Sequence, residues 1–170
     1  TSPSSALPSD PGGRSYQTDG GDGYGSGYPL IAGSGGGAGG AGANGPSTAS
    51  PYSGVAGGIG VQLPATFQNP AATYGFPGPG GTRFWIAGGG GSGATDNGDG
   101  GGGGGGPNAS PYAGAGRGGD SPSPTSFLPA MNGKTMSASG GGGGGNNPNG
   151  ARASFGGHGG SGLCLIAYPQ

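Results

Sequence analysis

The side chains that could do chemistry are few. The chain of 170 residues has one His (His158), one Cys (Cys164), one Lys (Lys134) and six acids, every one an Asp. Acid–base catalysis needs positioned titratable groups, and a metal site needs three or four His, Cys or carboxylate ligands. This inventory argues against an enzyme and against a bound cofactor or metal. Met131-Asn132-Gly133-Lys134-Thr135 invites comparison with a phosphate-binding loop, but the Gly required five residues before Gly133 is Leu128, and the motif fails. Asp19-Gly20-Gly21-Asp22 and Asp96-Asn97-Gly98-Asp99-Gly100 offer oxygens to Ca²⁺ but have no bidentate Glu; they read as turns. Cys164 reads as a small buried hydrophobe and His158 as a surface contact.

Three features survive as sites. Asn108-Ala109-Ser110 is a glycosylation sequon, making Asn108 a candidate acceptor. Tyr52, Trp85 and Tyr112 are candidate contact aromatics at the borders of glycine runs, where aromatic residues supply large contact area. For Trp85, internal packing is the stronger expectation. A formal net charge of −1 and a lone Arg117-Gly118-Gly119 argue against nucleic-acid binding, which wants a basic face.

The elements that must position these residues are unusual. Gly and Pro number 53 and 17, far above ordinary domains. Gly costs about 1 kcal/mol per helical position, so essentially no α-helix is expected. Twenty Leu, Ile, Val, Met, Phe and Trp residues are too few to offset the ordering of this backbone through side-chain burial. Disorder usually pairs low hydrophobicity with high net charge, and here the charge is almost nil. Order through association is therefore expected, with hydrogen-bond partners supplied by other chains.

Residues 1–27 read as a flexible Ser/Pro/Gly-rich arm, and 28–170 as a glycine-rich repeat domain. The opening Thr1, in place of Met, reads as a processed product or a piece of something longer. Each repeat runs from an apolar segment ending in Ala, through glycines, to a Pro step and an Ala-Ser-aromatic step. The first has Leu30-Ile31-Ala32, Gly45-Pro46 and Ala49-Ser50-Pro51-Tyr52. The second has Phe84-Trp85-Ile86-Ala87, Gly106-Pro107-Asn108 and Ala109-Ser110-Pro111-Tyr112. The third, weaker, has Met136-Ser137-Ala138, Pro148-Asn149 and Ala153-Ser154-Phe155. They begin near 28, 83 and 134, a spacing within the range of repeat architectures. A closing strand is expected over 163–168.

A glycine run offers only backbone groups and close approach. A form open to it is a bundle of left-handed threefold helices of the polyproline II type, which have no internal hydrogen bonds and need neighbours. Glycine should then recur every third residue where segments touch. Gly33, Gly36, Gly39, Gly42 and Gly45 keep that frame, and Gly54, Gly57 and Gly60 continue it. Border aromatics, including Phe84 and Phe155, would plug the bundle. The fold class expected is all-β or irregular: short strands with polyglycine-II-like segments, ordered through oligomerisation.

Arg83-Phe84-Trp85-Ile86-Ala87 followed by Gly88 to Gly91 resembles the start of glycine-rich domains in bacteriophage tail-fibre and other virion fibre proteins. The ending Gly159-Gly160-Ser161-Gly162-Leu163-Cys164-Leu165-Ile166-Ala167-Tyr168-Pro169 is similar to the terminus of that family, and Ser154-Phe155-Gly156-Gly157 to a step within it. The likeness spans about Tyr28 to Gln170. It departs in its Pro content and at Cys164 and Ala167, where the family tends to β-branched and basic residues. The resemblance implies a commonly trimeric, non-enzymatic fibre module on a virion surface that helps attach to a host glycan or protein. Its partners would be itself, as homotrimer or polymer, and other virion proteins. No nucleic acid, membrane span or cofactor is expected. The alternative is a subunit of a secreted microbial filament or surface layer. An ice-binding protein and a flexible linker are lesser rivals.

Overall fold

Because a glycine run can be held only through its main chain, the hydrogen-bond pattern is the fold. The computed structural model describes residues 16, 18–24, 32–46, 53–95, 98–120, 128–146 and 155–168. Among them are two short strands, β1 (Val61–Gln62) and β2 (Trp85–Ile86), paired antiparallel with Val61 opposite Ile86. Single 3-10 turns occur at Ala65–Phe67, Pro79–Gly81 and Gly103–Gly105. No α-helix forms among the described residues, and none of their helices is long and apolar enough to cross a membrane. The chain is thus non-helical and irregular, as its composition requires.

The rest is order of another kind. The N–H groups of Gly140, Gly143 and Asn146 donate to the carbonyls of Gly88, Gly91 and Ala94. Gly91 and Ala94 donate in turn to Gly116 and Gly119, and those two residues donate to Gly140 and Gly143. Three segments therefore close a triangle in which every bond recurs after three residues. The same period runs from Gly54 and Gly57 to Asp99 and Gly102, and from Gly42 and Gly45 to Asp19 and Asp22. Gly89 and Ser92 donate to Gly58 and Val55, in opposite chain direction. Gly102 has φ −71° and ψ 145°, in the polyproline II region.

These partners come from the same chain. Side-chain burial alone gives no hint of them, because they are formed backbone against backbone. Gly88 through Ala94 are all buried, whereas the buried hydrophobic side chains are only Leu63, Phe84, Ala94, Ala113 and Ala115 among the described residues. The centre of the molecule is a peptide backbone.

The expected glycine frame is visible in the packing. A Cβ added at Gly33, Gly39, Gly42, Gly54, Gly57 or Gly60 would come within 2.0 to 2.2 Å of a neighbouring carbonyl oxygen, and Gly37 and Gly58, outside the frame, are crowded as closely. At Gly36 it would stand 2.7 Å from Thr18 O. In segment 88–94, wrapped on nearly all sides, the exclusion extends to consecutive positions Gly89, Gly90 and Gly91.

Repeat landmarks mark corners. Ala87 and Ala138 adopt left-handed φ values of 56° and 53° where the chain turns into its glycine run. Ala87 N–H donates to Ser137 O and its carbonyl accepts from Ala38, tying the second copy to the third and the first. An L-residue in that region costs about 1–2 kcal/mol, partly offset because Ala has less unfolded-state freedom than Gly. Ala87→Gly should therefore leave stability unchanged or raise it by up to about 1 kcal/mol. Ala94→Gly, at a buried site without positive φ, should lower it by about 1 kcal/mol. Urea unfolding of the two variants checks the sign difference.

Candidate functional site

Residues 61–86, a stretch without a long glycine run, hold the two strands and two of the 3-10 turns. β1 and β2 bring Leu63 N–H to Phe84 O, and Phe76 exchanges both main-chain bonds with Trp85. Phe84 is buried at a left-handed φ of 67°, with the Arg83 guanidinium 5.2 Å from its ring centre. Phe84 is thus one of the few buried large side chains among the described residues.

Trp85 is half-buried, and its Nε1 donates to Thr82 Oγ1 at 2.9 Å. The main chain at Gly78 crosses the indole so closely that a Cβ there would collide with the ring. Ala113, next to Tyr112, donates to Pro77 O. The stretch 76–78 is therefore held by Trp85 on one side and by the chain beside Tyr112 on the other. Tyr112, also half-buried, donates its N–H to Gly103 O and accepts from Ala115. Tyr52 lies outside the described residues.

Asn108 sits in a polar cluster. Arg117 Nη1 donates to Asn108 Oδ1 at 3.2 Å and lies 3.4 Å from Asp120 Oδ1. Asp120 Oδ1 also accepts the Gly100 N–H at 2.8 Å and lies 3.5 Å from Asn108 Nδ2. The two charged side chains are each 11% exposed. Asn108 is half-buried here with both ends of its amide in use. The cluster clamps segments 98–103 and 115–120 together.

Three readings are corrected. Phe155 is 95% exposed, so it plugs nothing, and Cys164 is exposed instead of buried. Residues 163–168 form no strand and make no hydrogen bond. His158 lies at the surface, its N–H donating to Asn132 Oδ1 and its carbonyl accepting from Gly133. Among the described residues no group of three His, Cys or Asp side chains could hold a metal.

Sequence reasoning overlooked the serines. Ser34 Oγ accepts Ala43 N–H at 2.8 Å and donates to Ala56 O at 2.6 Å. Ser92 Oγ accepts Val55 N–H at 2.8 Å, while Ser92 N–H donates back to Val55 O. Ser139 Oγ accepts Gly88 N–H at 3.1 Å and donates to Ala113 O. Each hydroxyl supplies a main-chain partner where the glycine pattern alone would leave a gap. The signal is a single Ser flanked by glycines at Ser34 and Ser92, and a Ser just before the run at Ser139.

One cavity accompanies this core, a groove of about 370 Å³ lined by residues 32–35, 90–93 and 141–144. Its walls are main chain plus the side chains of Ala32, Ser34 and Ser92, so what it offers a neighbour is chiefly peptide N–H and C=O groups. Compared with family models, curated proteins and solved structures, the chain matches none.

Proposed function

We propose that the chain is a structural and adhesive, non-enzymatic module of a virion fibre, helping attachment to a host surface. Its glycine runs form a bundle of left-handed threefold helices of the polyglycine II type, self-associating as a homotrimer or polymer on a virion surface. The observation that carries this reading is the buried segment 88–94, whose main-chain bonds recur every three residues on neighbours either side. A threefold helix has no internal hydrogen bonds, so its polar groups must point outward to neighbours. Such a core is stiff and insensitive to loss of hydrophobic area. It leaves its corners and residues 61–86 free to present side chains to a glycan or protein.

The likeness of Arg83–Gly91 and of Gly159–Pro169 to fibre domains supports the virion setting. The aromatic residues most available for contact are Tyr16, Tyr24, Phe155 and Tyr168, each at least 50% exposed, ahead of the half-buried Trp85 and Tyr112. The exposed backbone along 155–162 also suits a secreted filament, the second reading. Gold-labelled antibody against the chain, viewed on virions and on cell-surface filaments, separates the two. Label on virion fibres, with binding of the purified chain to host cells, is the expected result; label on cellular filaments alone overturns it.

A further inference from the structure

A threefold helix donates along three directions and accepts along three, giving six neighbour positions. Segment 88–94 fills five. Residues Gly89 and Ser92 donate to segment 53–60, and Gly91 and Ala94 donate to segment 115–120. Its carbonyls accept from 138–146, from Gly101 and Gly104, and, at Gly90, from Gly35. The third pair of donors, Gly90 and Gly93, is buried and has no hydrogen-bond partner. Around the centre, 32–37 bonds to 53–60, 53–60 to 98–103, 98–103 to 115–120, and 115–120 to 138–146. The ring is open only between 138–146 and 32–37, and there the groove lies. Its shape is that of a missing sixth helix, and its two unpaired donors stand about 9 Å apart along the axis.

Segment 155–162 has the complementary properties. It is an edge: Gly157 and Gly160 donate inward to Gly142 and Ser139, and their added Cβ atoms would strike Met131 O and Lys134 O. Gly156, Gly159 and Gly162 are less crowded. An added Cβ would lie 3.3 Å from Gly142 O at Gly156 and 3.6 Å from Ser139 O at Gly159, and would meet nothing within 4 Å at Gly162. The carbonyls of these three accept no hydrogen bond. Nothing inside the chain requires glycine at Gly159 and Gly162, yet the three-residue frame continues through them, with acceptors free at the spacing the groove's donors need.

We infer that the edge segment 155–162 of one copy of this chain docks in the groove between residues 32–35 and 141–144 of a second copy. There it completes the hexagon around segment 88–94, with its outward carbonyls accepting from Gly90 and Gly93. A second copy is the occupant because the chain itself carries the matching edge, and because a net charge of −1 opposes such contact hardly at all. Groove and edge are different surfaces, so the contact is head-to-tail, closing into a ring such as a trimer or running on as a filament. This rests on the bundle reading above and is independent of the virion setting.

The test uses the full chain in sedimentation velocity over a range of concentrations, with amide hydrogen exchange on the same samples. The double substitution Gly159→Val and Gly162→Val adds side chains where the Cβ makes at most an ordinary contact, with Ser139 O at Gly159, and none at Gly162; Ala71→Val, at an exposed position, is the control. The wild-type chain and control should associate, with the Gly90 and Gly93 amides protected only in the assembly. The double variant should associate at least tenfold more weakly with unchanged protection of Gly91 and Ala94. Having an intact groove, it should also terminate wild-type assemblies when mixed with them. A monomeric wild type, undiminished association of the double variant, or equal exchange of Gly90 and Gly93 in both states overturns the docking. A chain that assembles in this way yet is absent from virions overturns the fibre reading alone.

Discussion

Gly91→Val should abolish the cooperative fold. The new side chain would be driven into Gly101 O, and segment 98–103 cannot retreat without surrendering its own bonds. Gly101 N–H to Ser92 O, Gly118 N–H to Gly101 O and Gly57 N–H to Gly102 O, at 2.8, 2.8 and 2.9 Å, would all open. Each such bond contributes about 1 kcal/mol net, and overpacking a close-packed interior adds about 1–3 kcal/mol. A loss of about 4 kcal/mol or more is most of the stability of a marginal domain. Hydrogen exchange should show the amides of Ala94, Gly116 and Gly143 unprotected together, where the wild-type chain holds them. Retention of that protection would mean the centre is not the close-packed backbone described above.

The second large effect is expected at Asp120. Asp120→Ala should destabilise the chain by about 3 kcal/mol, since removing one partner of a buried pair leaves the other charge uncompensated. Here Arg117 would keep only its bond to Asn108, and the buried Gly100 N–H would lose its acceptor. Asp120→Asn keeps an oxygen for Gly100 and should cost about 1 kcal/mol, the scale of one hydrogen bond. Denaturant unfolding of both variants, with Arg117→Met as the third corner of a cycle, measures this. Equal losses for Asn and Ala would show that the main-chain acceptor role is negligible.

The sequence made some of this legible. Absence of α-helix among the described residues follows from Gly and Pro content, and the three-residue frame through Gly33–Gly42 and Gly54–Gly60 falls on positions where a Cβ has no room, although Gly37 and Gly58 outside it have none either. The Ala32, Ala87 and Ala138 landmarks were visible as a repeat, but their left-handed turns at Ala87 and Ala138 were not, because Ala carries no propensity for them. That the chain supplies hydrogen-bond partners to its own glycine runs was hidden for a physical reason. Counting apolar side chains measures a core made of side chains, and it is blind to one made of amides. Burial of Arg117 and Asp120 was equally hidden, since only the fold brings Gly100 and Asn108 to them. The exposure of Cys164 and Phe155 ran against residue-type habit, which says nothing about where a chain runs short of neighbours.

The three-residue recurrence of the ladder has a consequence for how this protein stores its identity. If Gly140–Gly145 slid along Gly88–Gly93 by one turn, the Gly140 and Gly143 amides would again meet carbonyls, and no side chain within the glycines themselves would object. In an ordinary sheet, alternation of buried and exposed residues forbids such a slip; here a translation of about 9 Å is nearly a symmetry of the backbone. What distinguishes the native phase is a sparse set of marks: Ser34 against Ala43 and Ala56, Ser92 against Val55, Ser139 against Gly88, and Asp120 against Gly100. The glycines supply cohesion without address, and a handful of hydroxyls and one carboxylate supply the address. Glycine runs could then lengthen or shorten by whole turns while the marks hold their places, and a change of one residue would rotate everything beyond it by a third of a turn.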